Sequence, residues 1–438
     1  MSKDITYQLE AGGHIQGTLT IPGDKSISHR SIMFGSLAEG TTQVHGFLEG
    51  EDSLATLRAF RQMGVKIEGP NKGEVTIQGV GMHGLKGSDQ ALDLGNSGTS
   101  IRLMSGLLAG QSFDSVLIGD ESLSKRPMKR VTQPLASMGA RIETTEKGTA
   151  PLTVRGNTPL KGIQYDMPMA SAQVKSCLLL AGLYAEGETS VTEPGITRDH
   201  TERMLEAFGW PVKTEGNKIS VTGGGSLKAI DLTVPADISS AAFFMVGAAI
   251  SSNSEVRLTQ VGINPTRTGV IDILKLMGAK ITLENQQELG KEPVADIVIK
   301  SSQLKGIDIP EELVPLAIDE FPAIFIAAAC AEGTTILTGA EELRVKESDR
   351  IQAMADGLIV LGVDATPTTD GIRIQGKGGF TSGTIDSYGD HRIAMSFAMA
   401  SIRASGPIVI KDCENVNTSF PNFVGLAKNA GLRIEQIG

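Results

Sequence analysis

Aromatic side chains are scarce: one Trp, four Tyr and 13 Phe supply 4% of 438 residues. So few aromatics argue against a platform on which bases stack. Cys177, Cys330 and Cys413 are an odd number without a Cys-x-x-Cys pair. Each sits in or beside an apolar run, so they read as small buried hydrophobes of a reducing compartment. The six histidines form no His-x-His, His-Glu-x-x-His or Cys/His cluster. That pattern argues against a structural or catalytic zinc centre. The longest apolar stretches, 241–250 and 321–331, reach about half of the roughly 20 residues needed to cross a bilayer. The first ten residues show no apolar core or cleavage pattern. A cytoplasmic protein with no membrane partner is expected. No block of like charge or low-complexity tract is present, which excludes wholesale disorder. The formal charge of −10, from 40 Lys+Arg against 50 Asp+Glu, argues against a general nucleic-acid binder but leaves room for a local basic cleft.

Glycine is abundant: 52 of 438 residues is about 12%, against a usual share of roughly 7%. Part of that excess marks a repeat. An apolar-Gly-apolar-x-apolar phrase recurs as Met63-Gly64-Val65-Lys66-Ile67, Met138-Gly139-Ala140-Arg141-Ile142, Phe208-Gly209-Trp210-Pro211-Val212 and Met277-Gly278-Ala279-Lys280-Ile281. Weaker copies are Leu361-Gly362-Val363-Asp364-Ala365 and Ala430-Gly431-Leu432-Arg433-Ile434. The six glycines are 75, 70, 69, 84 and 69 residues apart. Each phrase reads as a helix closed by a left-handed glycine, followed by an alternating strand. A second run keeps the same beat, opening near Ser28, Gly98, Ser171, Ser239, Glu320 and Asp390. These runs are apolar nearly all round and predict buried helices. The chain thus divides into six units of about 70 residues, larger than ordinary solenoid repeats. The spacing predicts an α/β protein of two pseudo-symmetric lobes, each of three units, with the best boundary at 222–237. Ligands favour such lobe interfaces, so the cleft between them is the expected site.

Polar residues gather where the six buried helices begin. The openings are Gly23-Asp24-Lys25-Ser26-Ile27-Ser28-His29-Arg30, Asp93-Leu94-Gly95-Asn96-Ser97-Gly98-Thr99, Met169-Ala170-Ser171-Ala172-Gln173 with Lys175, Pro235-Ala236-Asp237-Ile238-Ser239-Ser240, Ile318-Asp319-Glu320-Phe321-Pro322 and Gly389-Asp390-His391-Arg392. Capping alone accounts for Ser, Asp, Asn and Gly. It leaves Lys25, Arg30, Lys175 and Arg392 unexplained, because the helix dipole disfavours cations at a start. A bound anion would remove that conflict. Two further segments add charge. Ser124-Lys125-Arg126-Pro127-Met128-Lys129-Arg130 is basic. In Arg344-Val345-Lys346-Glu347-Ser348-Asp349-Arg350, a helix would place Lys346 and Arg350 on one face. The latter reads either as a surface salt-bridged helix or as an acid/base carboxylate flanked by anion-binding cations. Gly23-Asp24-Lys25-Ser26 is no P-loop, lacking the Gly-Lys pair and the upstream glycine, and no Gly-x-Ser-x-Gly is present.

Taken together, the 23–30, 94–99, 344–350 and 390–392 segments resemble the 5-enolpyruvylshikimate-3-phosphate synthase family, in order and nearly end to end. The resemblance implies a two-lobed α/β (α+β) fold, each lobe three βαβαββ repeats with buried parallel helices. One lobe spans 21–237; the other spans 1–20 plus 238–438. It implies transfer of the enolpyruvyl group of phosphoenolpyruvate to the 5-hydroxyl of shikimate 3-phosphate, with release of phosphate and without a metal or other cofactor. Asp319 would then be the base, with Glu347 and Lys25 making the other proton transfers. Lys25, Gly98, Arg126, Gln173, Arg350 and Arg392 would hold phosphoenolpyruvate. Lys25, Ser26, Arg30, Thr99, Ser171, Ala172, Gln173, Arg198, Asp319 and Lys346 would hold shikimate 3-phosphate. A monomer is expected.

Departures place the chain within that family. Where some members carry a Lys before a C-terminal Thr-Phe-Pro, this chain has Asn417-Thr418-Ser419-Phe420-Pro421, and Thr197-Arg198-Asp199-His200 stands where some use a Tyr. With Ser171-Ala172-Gln173, these resemble the second class, which includes glyphosate-tolerant enzymes. Gly98, by contrast, is the small residue of sensitive members. The sister family acting on UDP-N-acetylglucosamine carries a reactive loop cysteine that 124–130 lacks. RNA 3′-phosphate cyclase, built from related units, fits the acidic balance poorly. A catalytically dead phosphometabolite-binding protein would not need Asp319, Lys25 and Glu347.

Overall fold

The computed structural model describes residues 5–438. The chain forms two compact units. One comprises Gly23–Val234 with Leu289–Glu292; the other comprises the described residues up to Pro22, then Pro235–Glu288 and Pro293–Gly438. The segmentation by repeats contains no counterpart to the excursion at Leu289–Glu292.

Twelve α-helices run through the described residues: α1 (Lys25–Leu37), α2 (Glu51–Gln62), α3 (Gly98–Ala109), α4 (Lys129–Ser137), α5 (Ala172–Gly182), α6 (His200–Ala207), α7 (Ile238–Ile250), α8 (Gly269–Leu276), α9 (Phe321–Cys330), α10 (Arg350–Val360), α11 (His391–Ala400) and α12 (Phe423–Ala430). Odd-numbered helices are the buried ones. Every residue of α7 is buried, as its all-round apolar sequence dictates. Even-numbered helices are followed by Gly64, Gly139, Gly209, Gly278, Gly362 and Gly431, all at φ between 79° and 111°. That left-handed conformation closes a helix at little cost only without a Cβ, which is why the phrase is periodic.

Three of the buried helices, α3, α5 and α11, each bridge two parallel strands that pair with one another. Leu92–Asp93 pairs with Ser115–Ile118 across α3, Gln164–Asp166 with Glu188–Thr192 across α5, and Gly383–Asp386 with Ile408–Lys411 across α11. An antiparallel pair then follows the even helix, as in Arg141–Glu143 against Leu152–Arg155, which pairs back onto Ser115–Ile118. Distant segments close other copies. Asp231–Thr233 lies parallel to Thr41–His45, and Gly17–Leu19 parallel to Glu255–Gly262. Thr6–Leu9 inserts antiparallel between Ile408–Lys411 and Ile434–Ile437. In the fifth copy the parallel pairing shrinks to the bridges Lys305–Glu332 and Asp308–Ile336.

Each unit has its own apolar core. Phe244 of α7 meets Phe420 and Phe423 with ring centroids 6.0 and 6.2 Å apart. Such pairs add about 0.5–1.5 kcal/mol each beyond area burial and fix α7 against α12. Among the described residues no helix is long and apolar enough to cross a membrane.

Candidate active site

Three helix starts meet in the unit built on Gly23–Val234. The Asp24 carboxylate caps α1 by accepting from Ile27 N at 2.9 Å, and Lys25 in its first turn pairs with Asp52 at 3.1 Å. Ser97 caps α3, so Gly98 opens that helix, and Ser171 caps α5. His29 joins α1 to α3: its Nδ1 lies 2.8 Å from Thr56 Oγ1 and 3.2 Å from Ser100 Oγ, beside the Ser97 cap. Burial, with the charges of Lys25 and Arg30 beside it, holds this imidazole far below its usual pKa, so it is a neutral relay. Thr99 and Gln173 join α3 to α5, with Gln173 Nε2 donating to Thr99 Oγ1 at 3.2 Å while Arg102 donates to Gln173 Oε1.

Arg126 follows a short 3-10 turn, Leu123–Lys125, and is anchored by Asn96 Oδ1 at 2.7 Å and Ser122 Oγ at 3.2 Å. A Cβ on Gly98 would lie 3.1 Å from Arg126 Nη1 and 3.2 Å from Arg102 Nη1. Two guanidinium groups therefore flank the opening of α3. Arg102 escaped the sequence reading. Its signal was a lone charge in an apolar helix body, four residues after Gly98.

Arg30 and Lys175 are both held by partners within the unit, and for Lys175 these leave no role in an anion site. Arg30 is buried and donates to the Ser26 carbonyl at 2.9 Å, Thr201 Oγ1 at 2.7 Å and Ser176 Oγ at 3.0 Å. Burial lowers its pKa to about 10 against the opposing pull of Glu202 and Asp24. It grips the first turn of α1 and ties α1 to α5. Lys175 is 1% exposed, with Glu202 at 2.6 Å and Glu193 at 3.1 Å. Its charge is neutralised inside the unit, so the anion-site reading of Lys175 is corrected to a structural one. Arg198 lies near enough to Arg30 for its charge to act there.

Three helix starts also meet in the other unit. Asp237 caps α7, and Ser239 in its first turn donates to Glu320 at the start of α9. Asp390 caps α11 through Arg392 N at 2.9 Å. Arg392 Nη1 donates to the Asp319 carbonyl at 3.0 Å. Arg350 opens α10 and is 1% exposed among three carboxylates: Asp390 at 2.8 Å, Asp319 at 3.2 Å and Glu347 at 2.6 Å. Burial works against its charge, but Asp390, Glu347 and Asp319 outweigh it and push its pKa above the usual arginine value. Burial likewise opposes the Asp390 carboxylate, yet Arg350 holds its pKa below normal. Lys346 Nζ completes the group, 3.5 Å from Asp319 and 3.1 Å from Glu342.

The 344–350 segment is not one helix, so the shared-face reading of Lys346 and Arg350 is corrected. A 3-10 turn, Glu341–Val345, ends before Lys346, and Asp349 caps a new helix at Arg350. Lys346 and Glu347 lie in the bend and meet Asp319 and Arg350 there. Carboxylates, not a bound anion alone, offset the cations at helix starts: Asp52 for Lys25, and three acids for Arg350. The three cysteines carry thiols that burial pushes up to about 12, and none lies in these clusters. No group of three His, Cys, Asp or Glu among the described residues is arranged to hold a metal ion.

This geometry suits anionic ligands handled beside a carboxylate, and the comparisons with known proteins agree. The family model for EPSP synthase (3-phosphoshikimate 1-carboxyvinyltransferase) matches residues 9–426. A protein of Methylococcus capsulatus named 3-phosphoshikimate 1-carboxyvinyltransferase is 66% identical over 433 residues, covering 99% of each chain. One of the same name from Legionella pneumophila is 58% identical over 424 residues, covering 97% of this chain and 98% of its own. The solved EPSP synthase of Acinetobacter baumannii superposes with a TM-score of 0.90 at 66% identity and full coverage of both chains. The enolpyruvyl transferase NikO from Streptomyces tendae shares the fold, with a TM-score of 0.80 at 16% identity over 99% of both chains. Helix starts, capped cations and full-length kinship lead to one assignment: this chain belongs to the EPSP synthase family.

Proposed function

We propose that this protein transfers the enolpyruvyl (1-carboxyvinyl) group of phosphoenolpyruvate to the 5-hydroxyl of shikimate 3-phosphate, releasing phosphate. The observation that carries this reading is the Asp319 cluster. A carboxylate that can act as a base lies 3.2 Å from Arg350 and 3.5 Å from Lys346, with its own carbonyl held by Arg392. Both reactants bring a phosphate and a carboxylate, and arginine forks match such groups bidentately.

Lys25, Arg126, Gln173, Arg350 and Arg392, with the backbone at Gly98, hold phosphoenolpyruvate. Ser26, Arg30, Thr99, Ser171, Ala172, Gln173, Arg198 and Lys346, with Lys25 and Asp319, hold shikimate 3-phosphate, and Arg30 also fixes Ser26 through its carbonyl. In the addition step Asp319 takes the proton of the 5-hydroxyl as its oxygen bonds to C2 of the enol phosphate. A proton joins C3, so the methylene becomes a methyl and a tetrahedral ketal forms. In the elimination step a proton leaves that methyl, the C2–O bond to phosphate breaks, and phosphate departs with the bridging oxygen and, in net, the hydroxyl proton. Lys25 and Glu347 carry the transfers at C3. The enzyme works as a cytoplasmic monomer in the shikimate route to chorismate and aromatic amino acids.

The test is phosphate release by the pure protein. Phosphate appearing only when both substrates are present, with a product of the enolpyruvyl ether mass, supports the reading. Release with UDP-N-acetylglucosamine as sole acceptor overturns it.

Gly98→Ala gives a second check. The added methyl meets only the far ends of Arg126 and Arg102, so the fold should persist. The KM for phosphoenolpyruvate should rise about tenfold, roughly 1.4 kcal/mol, with that for shikimate 3-phosphate changed less than about threefold. An equal rise in both would remove Gly98 from the phosphoenolpyruvate contacts.

A further inference from the structure

Beside Asp319 lies a buried charge cluster that the mechanism does not use. The Glu320 side chain is fully buried, and the Arg267 side chain is 4% exposed. Ser239 Oγ donates to Glu320 Oε1 and accepts from Arg267 Nη2 at 2.6 Å. Arg267 Nη2 also reaches the Asp237 carboxylate at 3.2 Å and lies 3.9 Å from Glu320 Oε1. Glu320 Oε2 has no hydrogen-bond partner among the described residues. Two carboxylates thus share one guanidinium in the interior. Such groups give little net stability, since taking charges out of water offsets their attraction, and apolar replacements are often neutral or better. What they supply is a fixed geometry.

That geometry concerns Asp319. Glu320 stands at the cap position of α9 without capping it by its side chain. Its side chain instead reaches across to the start of α7. The shared 319–320 peptide is therefore gripped from two directions: Arg392 holds the Asp319 carbonyl, and Ser239 with Arg267 hold the Glu320 side chain. Glu320 N adds a third tie, donating to the Ala317 carbonyl at 2.9 Å. With the peptide fixed, the Asp319 carboxylate is aimed at Arg350 and Lys346.

We propose that Glu320, seated between Ser239 and Arg267, is a positioning residue that holds Asp319 in the orientation its proton transfer requires. This rests on the assignment of Asp319 as base. Reach, not charge, is what the proposal needs from residue 320. Glu320→Gln keeps an oxygen for Ser239, whereas Glu320→Asp keeps the charge and withdraws it.

The experiment measures kcat, both KM values and thermal stability for Glu320→Ala, Glu320→Asp and Glu320→Gln, with Asp319→Asn alongside. A misplaced base costs about 10- to 100-fold in kcat, so that loss is expected for Ala and Asp with both KM values within about threefold. Gln should restore kcat to within about threefold of the parent. If the Ala variant fails to fold, the contrast between Asp and Gln decides. Full kcat in the Asp variant, a KM rise that matches the kcat loss, or a Gln variant as slow as Asp would overturn the proposal. Parent-like turnover by Asp319→Asn would instead overturn the assignment of the base.

Discussion

Arg350→Ala should melt far below the parent and show no turnover. Removing the guanidinium takes away the buried cation that lies 2.8, 3.2 and 2.6 Å from Asp390, Asp319 and Glu347, and leaves the repulsion among them far less compensated. Breaking a buried pair on one side costs about 3–5 kcal/mol. For a unit of this size that is a fall in Tm of about 10 °C or more. The sign of the pH effect follows from Asp390, whose pKa Arg350 lowers. A carboxylate with a depressed folded-state pKa stabilises above its unfolded value and loses that contribution as pH falls through the folded one. Without Arg350 the depression disappears, so the deficit should be largest near neutral pH and shrink toward acid. Arg350→Lys should recover part of the stability but leave kcat/KM down by about 100-fold or more, because one ammonium cannot fork to several carboxylates. Melts at pH 5 and pH 7.5 with a phosphate-release assay read this out. A neutral-pH Tm equal to that of the parent would show that the three acids do not depend on Arg350.

Lys175→Met is expected to destabilise as strongly by a different route. Lys175 is the buried cation between Glu193 and Glu202. Met keeps the length of the side chain but removes the ammonium that pairs with both glutamates, at about 3–5 kcal/mol near neutral pH. Burial already raises the Glu202 pKa, and Lys175 opposes that rise. A raised carboxylate favours the folded state at low pH and disfavours it as pH climbs through the folded-state value. The substitution removes the opposing charge, so the variant should regain stability as the pH is lowered below neutral. Below about pH 4 the unfolded chain is protonated too and the gain levels off. Denaturant midpoints across that range decide it. A loss independent of pH would mean that packing, not charge, is what Lys175 supplies.

Lys175 also marks where the sequence stopped being legible. It stands in the first turn of a buried helix, as a ligand-binding cation would, but its partners come from positions 18 and 27 residues later. Nothing local distinguishes the two. The six glycine turns were legible because the left-handed cap is a local demand, met within a few residues. The buried helices were legible for a related reason: an apolar sequence on all faces has nowhere to go but inside. Closure by Asp231–Thr233 was not, since that strand pairs with a segment far along the chain, and the place of Gly17–Leu19 in the second lobe came from the family resemblance and not from any local pattern. Lys346 and Glu347 were read in a helical setting that the structure does not give them. The backbone bends at the Asp349 cap, so they meet Asp319 and Arg350 through a turn and not along a helix face.

The most direct measurement is the mass of the product formed from shikimate 3-phosphate and phosphoenolpyruvate in heavy water. Addition followed by elimination passes C3 through a methyl group, so the product methylene should carry deuterium while phosphate is released one for one. A product of the expected mass without deuterium would contradict the addition–elimination account, and no product at all would contradict the assigned activity.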